Sequence, residues 1–372
     1  MLLGNRLNWL ATKFELSRGD GVNQRSMEGL RGFAVFLVFL VHFSTLIEPW
    51  LSAYPELLMF SRYLHAIGSS GVDLFFVLSG YLIFGSLISR HQQFSKFMTR
   101  RIIRIYPTFL TVFVVYTILS FIFPNENKFP STAFAGIIYV IQNILLLPGL
   151  FPITPLITVA WSLSYEMFYY LIIPGVIALF ALRERSPRWR AAFFLCVAVA
   201  ASLYCAWDGG PIRLIMFVSG MLLFEAMGRA AVPTPSSHLG FLALAIGLLS
   251  ALMPVDGNAG YALRVWILFV AFFIVCLGCF RPDAGGWLPR AFCWKPLRWL
   301  GNMSYSYYLL HGLALKAGFL VLSKLLPATD GPAWLFWVSL PLMFALTLIP
   351  TSALFLLIER PFSLAPRRAT SA

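Results

Sequence analysis

The stretch Met27-Glu28-Gly29-Leu30-Arg31-Gly32-Phe33 runs directly into an apolar segment whose only histidine is His42. Arg31 and His42 are eleven residues apart. That is about three turns of α-helix, so both side chains leave nearly the same face, with His42 about 16 Å further along the axis. If Arg31 lies at a membrane surface, His42 lies about half-way through a hydrocarbon core of about 30 Å. The stretch therefore predicts either an intramembrane reaction centre at His42 or a histidine hydrogen-bonded inside a helix bundle.

The composition indicates the class of protein. Of the 372 residues, 59% are hydrophobic and 12% are charged, whereas a soluble domain carries about 25% charged residues. Repeated apolar runs of about 18 or more residues predict an all-α, polytopic membrane helix bundle and exclude a pair of soluble domains. The formal net charge is +13, but the basic residues cluster in short loops. That pattern is typical of the positive-inside rule and argues against nucleic-acid binding.

The loop charges predict the topology. Basic loops should face the cytoplasm, and they can do so only if one apolar segment does not cross. We assign this role to segment 132–150, because it contains Gln142 and Asn143 and ends at Pro148-Gly149. Irregular backbone is tolerated at membrane depth where it is buried in protein or lines a cavity. We expect a re-entrant or interfacial segment near 132–158. We expect ten crossings at roughly 30–47, 71–89, 105–123, 161–182, 191–207, 211–228, 238–254, 262–280, 302–323 and 334–358.

This topology divides the chain into three parts. Residues 1–26 form a cytoplasmic N-terminal segment, residues 27–362 form the membrane domain, and residues 363–372 form a cytoplasmic tail. The acidic loop residues Asp208, Asp256 and Asp330 then all fall on the outer side. The only Cys-x-x-Cys pair, Cys276 and Cys279, lies inside an apolar run, which favours helix packing over a zinc site.

Carboxylates inside the predicted spans need a partner or water, because a charged side chain is expensive in the bilayer. Asp73 lies near the outer end of the second span, where function and structural pairing explain it equally well. Glu166 lies inside the span that begins at Trp161, and an interfacial aromatic belt does not account for it. Ser79 and Gly80, deeper in the second span, are more typical of close helix approach.

Basic and polar residues mark the start of two further spans. Arg101 and Arg104 share a helix face, which suits either anchoring to anionic lipid or a bidentate grip on phosphates; alone, the pair favours anchoring. The last crossing but one carries Ser304, Tyr305, Tyr308 and His311, a pattern that by itself favours polar contacts between helices. The terminal Glu359-Arg360-Pro361 reads as a helix stop whose charges only cap and orient.

Taken in order, these motifs strongly resemble the acyltransferase 3 family of integral membrane acyltransferases. The resemblance covers about residues 25–362, and only the ordered combination is specific. It rests on Gly29-Leu30-Arg31-Gly32 with His42, Gly71-Val72-Asp73 with Leu78-Ser79-Gly80-Tyr81, Arg101 and Arg104 before Ile105-Tyr106-Pro107, Trp161-Ser162-Leu163 with Glu166, Tyr305-Ser306 with His311, and Glu359-Arg360-Pro361.

The resemblance implies a multi-pass protein of the bacterial inner membrane with both termini in the cytoplasm. It implies transfer of an acyl group, usually acetyl from acetyl-CoA, to a hydroxyl of a polysaccharide, lipopolysaccharide or lipid-linked sugar outside. The expected partners are acyl-CoA, this glycan and membrane lipid, with no nucleic acid and no metal. A succinyl donor stays open. The alternative function is a glycan transporter, which intramembrane Asp, Glu and His would also suit.

The resemblance also implies roles for individual residues. His42 would act as a general base on the acceptor hydroxyl or carry a transient acyl group, and Glu166 would orient His42 or bind the acceptor. The CoA phosphates would be held by Arg31, Arg101 and Arg104. The acceptor side, or the oxyanion, would be served by Asp73, Ser304, Tyr305 and His311.

Overall fold

The computed structural model describes residues 11–16, 22–281, 284–328 and 331–364, and this part of the chain is helical without strands. The helices are α1 (Val22–Ile47), α2 (Pro55–Ile88), α3 (Phe94–Ile122), α4 (Ala133–Ile144), α5 (Trp161–Leu179), α6 (Pro187–Asp208), α7 (Ile215–Met227), α8 (Ser237–Ser250), α9 (Gly257–Phe280), α10 (Trp287–Phe292), α11 (Lys295–Asn302), α12 (Ser304–Leu325) and α13 (Trp334–Leu354), which continues as a π-helical stretch (Phe355–Ser363). Short 3₁₀ turns lie at Glu48–Leu51, Pro124–Glu126, Thr158–Ala160 and Ile212–Leu214.

Basic loops meet at one end of the bundle, which we call the basic side. Arg183, after α5, donates to the carbonyl of Leu87 at the end of α2 (2.9 Å). Arg281, after α9, donates to the carbonyl of Arg229 after α7 (2.9 Å). These contacts join the end of α5 to the end of α2 and the end of α9 to the end of α7. The loop charges predict these four helix ends on one side, and we call the other end of the bundle the opposite side. Asp330 and most of the predicted tail lie outside the described residues.

Eight helical segments in the described ranges are long and apolar enough to cross a membrane, two fewer than the ten predicted crossings. The helices α7 and α8 are shorter, with 13 and 14 residues. Even so, Arg213 before α7 pairs with Asp73 on the opposite side, and Glu225 near its end pairs with Arg190 on the basic side. Ser237 at the start of α8 contacts the basic-side loop before α10. The predicted ten crossings are reached only when α7 and α8 are counted with the eight longer segments.

Helix α4 and the loop after it form the predicted re-entrant segment. Lys128, before α4, donates from Nζ to the carbonyl of Pro155 at the far end of the loop (3.0 Å). Burial and the nearby ammonium group of Lys316 lower the pKa of Lys128. Deeper in the protein, Tyr106 of α3 donates to the carbonyl of Ile144, where α4 ends (3.0 Å). The segment therefore enters and leaves at the opposite side.

The glycines of the opening stretch let α1 touch α10 and α11 backbone to backbone. A Cβ atom at Gly29 would lie 1.7 Å from the carbonyl oxygen of Phe292. A Cβ atom at Gly301 would lie 1.7 Å from the carbonyl oxygen of Glu28. Small residues permit this kind of close approach between helices in a membrane. The helix that carries Arg31 and His42 is therefore held at a fixed distance from α11.

We expect Gly301→Ala to lower the free energy of unfolding by about 1–3 kcal/mol, because the added methyl group must displace backbone. The measurement is the thermal transition of the purified protein in detergent. Gly312→Ala on α12 is the matched control, because no heavy atom lies within 4 Å of a Cβ built there. Equal transitions for the two variants would contradict the close contact.

Candidate active site

Three arginines and two carboxylates meet in the half of the bundle nearer the basic side. This arginine cluster consists of Arg31 on α1, Arg101 and Arg104 on α3, Glu166 on α5 and Glu359 in the π-helical stretch. Arg31 lies within electrostatic range of Arg104, Glu359 and Glu166. Residues that are far apart in sequence thus form one polar group inside an apolar bundle.

Glu359 is the centre of this cluster. Its Oε1 accepts from Arg104 Nη1 at 2.8 Å, and its Oε2 accepts from the backbone N–H and the hydroxyl of Ser306 at 3.0 and 2.6 Å. The side chain is fully buried. The expectation that Glu359 only caps a helix end is therefore wrong. A carboxylate that closes a long apolar run was the sequence signal for this buried ion pair.

Arg31 lies in the first quarter of a helical segment, Arg25–Leu51, that is long and apolar enough to cross a membrane. Its Nε donates to the hydroxyl of Ser304 (3.3 Å).

Arg101 and Glu166 approach each other through Tyr170. The guanidinium of Arg101 lies over the rings of Phe97 and Tyr170, 5.2 and 5.1 Å from the centroids. Glu166 Oε1 accepts from the hydroxyls of Tyr170 (2.5 Å) and Ser79 (3.2 Å). Glu166 therefore faces the arginine cluster, and Ser79 is a hydrogen-bond donor as well as a small residue.

His42 is not a lone histidine, because α12 brings His311 beside it. The ring centroids are 4.9 Å apart with an interplanar angle of 63°. His311 is fully buried, and its Nδ1 lies 2.9 Å from the carbonyl oxygens of Tyr307 and Tyr308. Carbonyl oxygens only accept, so this contact assigns the proton to Nδ1 and leaves Nε2 as an acceptor. Among the described residues, Nε2 has no hydrogen-bond partner.

Helix α12 divides the predicted acceptor-side residues between two depths. Ser304 accepts from Arg31, and the ring of Tyr305 lies 5.7 Å from the Arg104 guanidinium. His311 lies about two turns further along the helix. Because α12 begins at the basic side, its first turn joins the arginine cluster. The sequence analysis grouped Ser304 and Tyr305 with Asp73 on the acceptor side. The structure places them instead beside the predicted donor-binding arginines.

Asp73 has a partner that the sequence analysis missed. Arg213 donates from Nε and Nη2 to the two oxygens of Asp73, both at 2.8 Å, and its guanidinium lies 5.5 Å from the ring centroid of Trp161. The partners are 140 residues apart, and Arg213 sits at the edge of an apolar segment. The need for a partner was predictable, but its identity was not.

Comparison with known proteins identifies the family. The model of a family described as an acyltransferase domain matches residues 24–356. The chain belongs to the acyltransferase 3 family. The matched residues include both histidines of the pair and every member of the arginine cluster except Glu359.

Curated proteins that are similar to this chain include named O-acetyltransferases. The chain is 26% identical over 319 residues to peptidoglycan O-acetyltransferase OatA of Listeria monocytogenes, covering 77% of this chain and 48% of OatA. It is 27% identical over 317 residues to exopolysaccharide production protein ExoZ of Rhizobium meliloti, covering 79% of this chain and 89% of ExoZ. It is 27% identical to O-acetyltransferase OatA of Staphylococcus aureus, covering 77% and 49%. The chain thus spans about half the length of both OatA proteins. No solved structure matches the chain.

The polar side chains of this family member remain partly accessible. Arg31, His42, Ser79 and Glu166 are half-buried, whereas Leu30, which precedes Arg31, is fully buried. Within the described ranges, no three His, Cys, Asp or Glu side chains are grouped to hold a metal ion.

We expect Glu359→Ala to lower the free energy of unfolding by about 3 kcal/mol, because Arg104 would keep its charge without a counter-ion. Thermal denaturation in detergent measures this. Glu48→Ala is the control, because Glu48 and Arg62 form an exposed pair with 42% and 66% of their side chains accessible. Such a pair contributes at most about 1 kcal/mol. A loss at Glu359 no larger than that at Glu48 would contradict its central place in the cluster.

Proposed function

We propose that this protein is a membrane-embedded acyltransferase that moves an acetyl group from acetyl-CoA to a glycan hydroxyl. The donor binds at the basic side, which faces the cytoplasm together with both termini of the chain in a bacterial inner membrane. The glycan binds at the opposite side. The main support is that the same two helices, α1 and α12, contribute to the arginine cluster and form the histidine pair. Arg31 donates to Ser304 at one depth, and His42 lies beside His311 at another.

The arginine cluster suits an anionic donor. Three guanidinium groups face two carboxylates, which leaves one positive charge at a depth where isolated charge is costly. Among the described residues, Arg101 has no carboxylate within salt-bridge distance; its guanidinium rests on aromatic rings instead. Guanidinium groups bind phosphates bidentately. We therefore assign Arg101 to the CoA phosphates, with Arg31 and Arg104 adding positive potential.

The histidine pair suits proton transfer. Neutral His42 would take the proton of the acceptor hydroxyl as that oxygen attacks the thioester carbon. The carbon–sulfur bond then breaks, and the CoA thiolate leaves and takes the proton from His42. His311 Nε2 would accept a hydrogen bond from the second ring nitrogen of His42 and so fix its tautomer. Transfer through an acyl-histidine remains the competing route.

The names of the relatives support a glycan acceptor and an acetyl donor. The two OatA proteins are named O-acetyltransferases, the Listeria protein being assigned to peptidoglycan, and ExoZ is named for exopolysaccharide production. Family membership also favours transfer chemistry over the transporter alternative. In our proposal the acceptor is therefore a sugar hydroxyl of a cell-envelope polysaccharide.

We expect His42→Gln to lower acetyl transfer at least about 100-fold, because general base catalysis contributes about 10²–10⁴-fold. The measurement is alkali-released acetate in the envelope glycan of expressing cells, per amount of folded protein. His91→Gln, at an exposed position, should leave transfer unchanged. Full transfer by His42→Gln would rule out the base role.

We expect Arg101→Glu to abolish most of the thermal stabilisation that CoA gives the purified protein, because the substitution places a carboxylate against the phosphates. Arg62→Glu is the control, since Arg62 is exposed and pairs with Glu48 on the opposite side. An unchanged CoA response in Arg101→Glu would move the donor site elsewhere.

A further inference from the structure

Two arginine–carboxylate pairs in this chain have the same bidentate geometry. Arg213 donates from Nε and Nη2 to Asp73, both at 2.8 Å. Arg190 donates from Nε and Nη2 to Glu225 at 2.6 and 2.9 Å. The accessible fractions of the side chains are also alike, 18% and 4% for the first pair and 12% and 2% for the second. Any difference between the pairs therefore lies outside the ion pair itself.

The pairs differ at the third guanidinium nitrogen. Nη1 of Arg190 donates to the carbonyls of Leu182 (3.2 Å) and Arg185 (2.9 Å), so the protein satisfies it. Arg213 uses Nη2 for the carbonyl of Ser69 (2.7 Å), and its Nη1 has no acceptor in the part of the chain that the structure describes. Arg213 thus presents two N–H groups to a partner outside the chain.

Aromatic side chains surround these donors. The half-buried indole of Trp161 lies 5.5 Å from the Arg213 guanidinium, and Tyr165 packs edge-on against it with centroids 5.5 Å apart. Tyr261, which is 40% exposed, lies within electrostatic range of Arg213. Aromatic walls with a few fixed polar groups are the usual lining of small-molecule sites.

This aromatic group is linked to the histidine pair. Ser162, next to Trp161 on α5, shares a hydrogen bond of 2.7 Å with the hydroxyl of Tyr308. The Tyr308 ring lies 6.2 Å from the ring of His311. Tyr308 therefore contacts both the helix that carries Trp161 and the ring of His311.

We propose that Arg213 and Trp161 form the subsite that holds the acceptor glycan, with one sugar ring against the indole and a ring hydroxyl oxygen accepting from Arg213 Nη1. This inference rests on the proposed function and names two residues that recognise its acceptor. Asp73 balances the charge of Arg213, so the subsite selects an uncharged sugar ring and not a phosphate or carboxylate. Asp73 then acts as a positioning residue.

Arg213→Lys tests the subsite. Lysine keeps the positive charge that Asp73 needs, but it lacks the guanidinium N–H groups, including those of Nη1. We expect alkali-released acetate in the envelope glycan to fall at least about tenfold per amount of folded protein, while CoA still raises the thermal transition as in the wild type. Arg190→Lys is the matched control: it removes the same bidentate geometry together with the Nη1 bonds to Leu182 and Arg185, and it should lower stability at least as much without lowering glycan acetate.

Trp161→Ala and Trp161→Phe give an independent measurement, since neither breaks the ion pair. Trp161→Ala should lower glycan acetate as Arg213→Lys does, and Trp161→Phe should retain most of it; these two variants decide the case if Arg213→Lys does not fold.

Wild-type acetate in Trp161→Ala, or equal losses in Arg213→Lys and Arg190→Lys, would overturn the subsite. Loss of transfer in His42→Gln with full transfer in both Arg213→Lys and Trp161→Ala would leave the proposed function standing and overturn this inference alone. Absence of glycan acetate from wild-type cells would overturn both.

Discussion

The buried ion pair between Arg104 and Glu359 is the interaction on which the half of the bundle nearer the basic side depends. Glu359 accepts from α3 through Arg104 and from α12 through Ser306, so one carboxylate joins three segments that are distant in sequence. In a bilayer such a group is stable only when every oxygen has a donor and the charge is balanced. The pair thereby fixes where α12 begins, and with it the depth of each residue that α12 carries.

A second constraint aligns the histidines. The backbone contacts at Gly32 and Gly301 hold α1 against α11, and α11 leads directly into α12 at Ser304. Any change in the α1–α11 distance would therefore be passed to α12 and would alter the 4.9 Å separation of His42 and His311. The glycines of the opening stretch serve the site through packing, although they carry no chemistry. This accounts for a glycine-rich motif next to a catalytic candidate.

The fold could be predicted from the sequence to a large extent, because bilayer thickness and loop charge leave few choices. Even the re-entrant segment followed from charge parity. The sequence identified most residues of the candidate site, but it did not show which of them contact each other. His311 was assigned without its neighbour His42, Glu359 was taken for a helix cap, and Arg213 was missed. Each of these depends on a contact between segments 140 or more residues apart, and helical periodicity describes only faces within one segment.

The two polar regions differ in charge in a way that suits transfer across the membrane. The arginine cluster holds one positive charge in excess, whereas the Arg213–Asp73 pair is balanced. In the proposed function an anionic donor is therefore drawn to the basic side, and the subsite on the opposite side favours a neutral sugar. The histidine pair lies on α1 and α12, the helices that also bring Arg31 to Ser304. Charge balance thus distinguishes the two regions, and in our proposal it assigns the anionic donor to the arginine cluster and the neutral sugar to the Arg213–Asp73 pair.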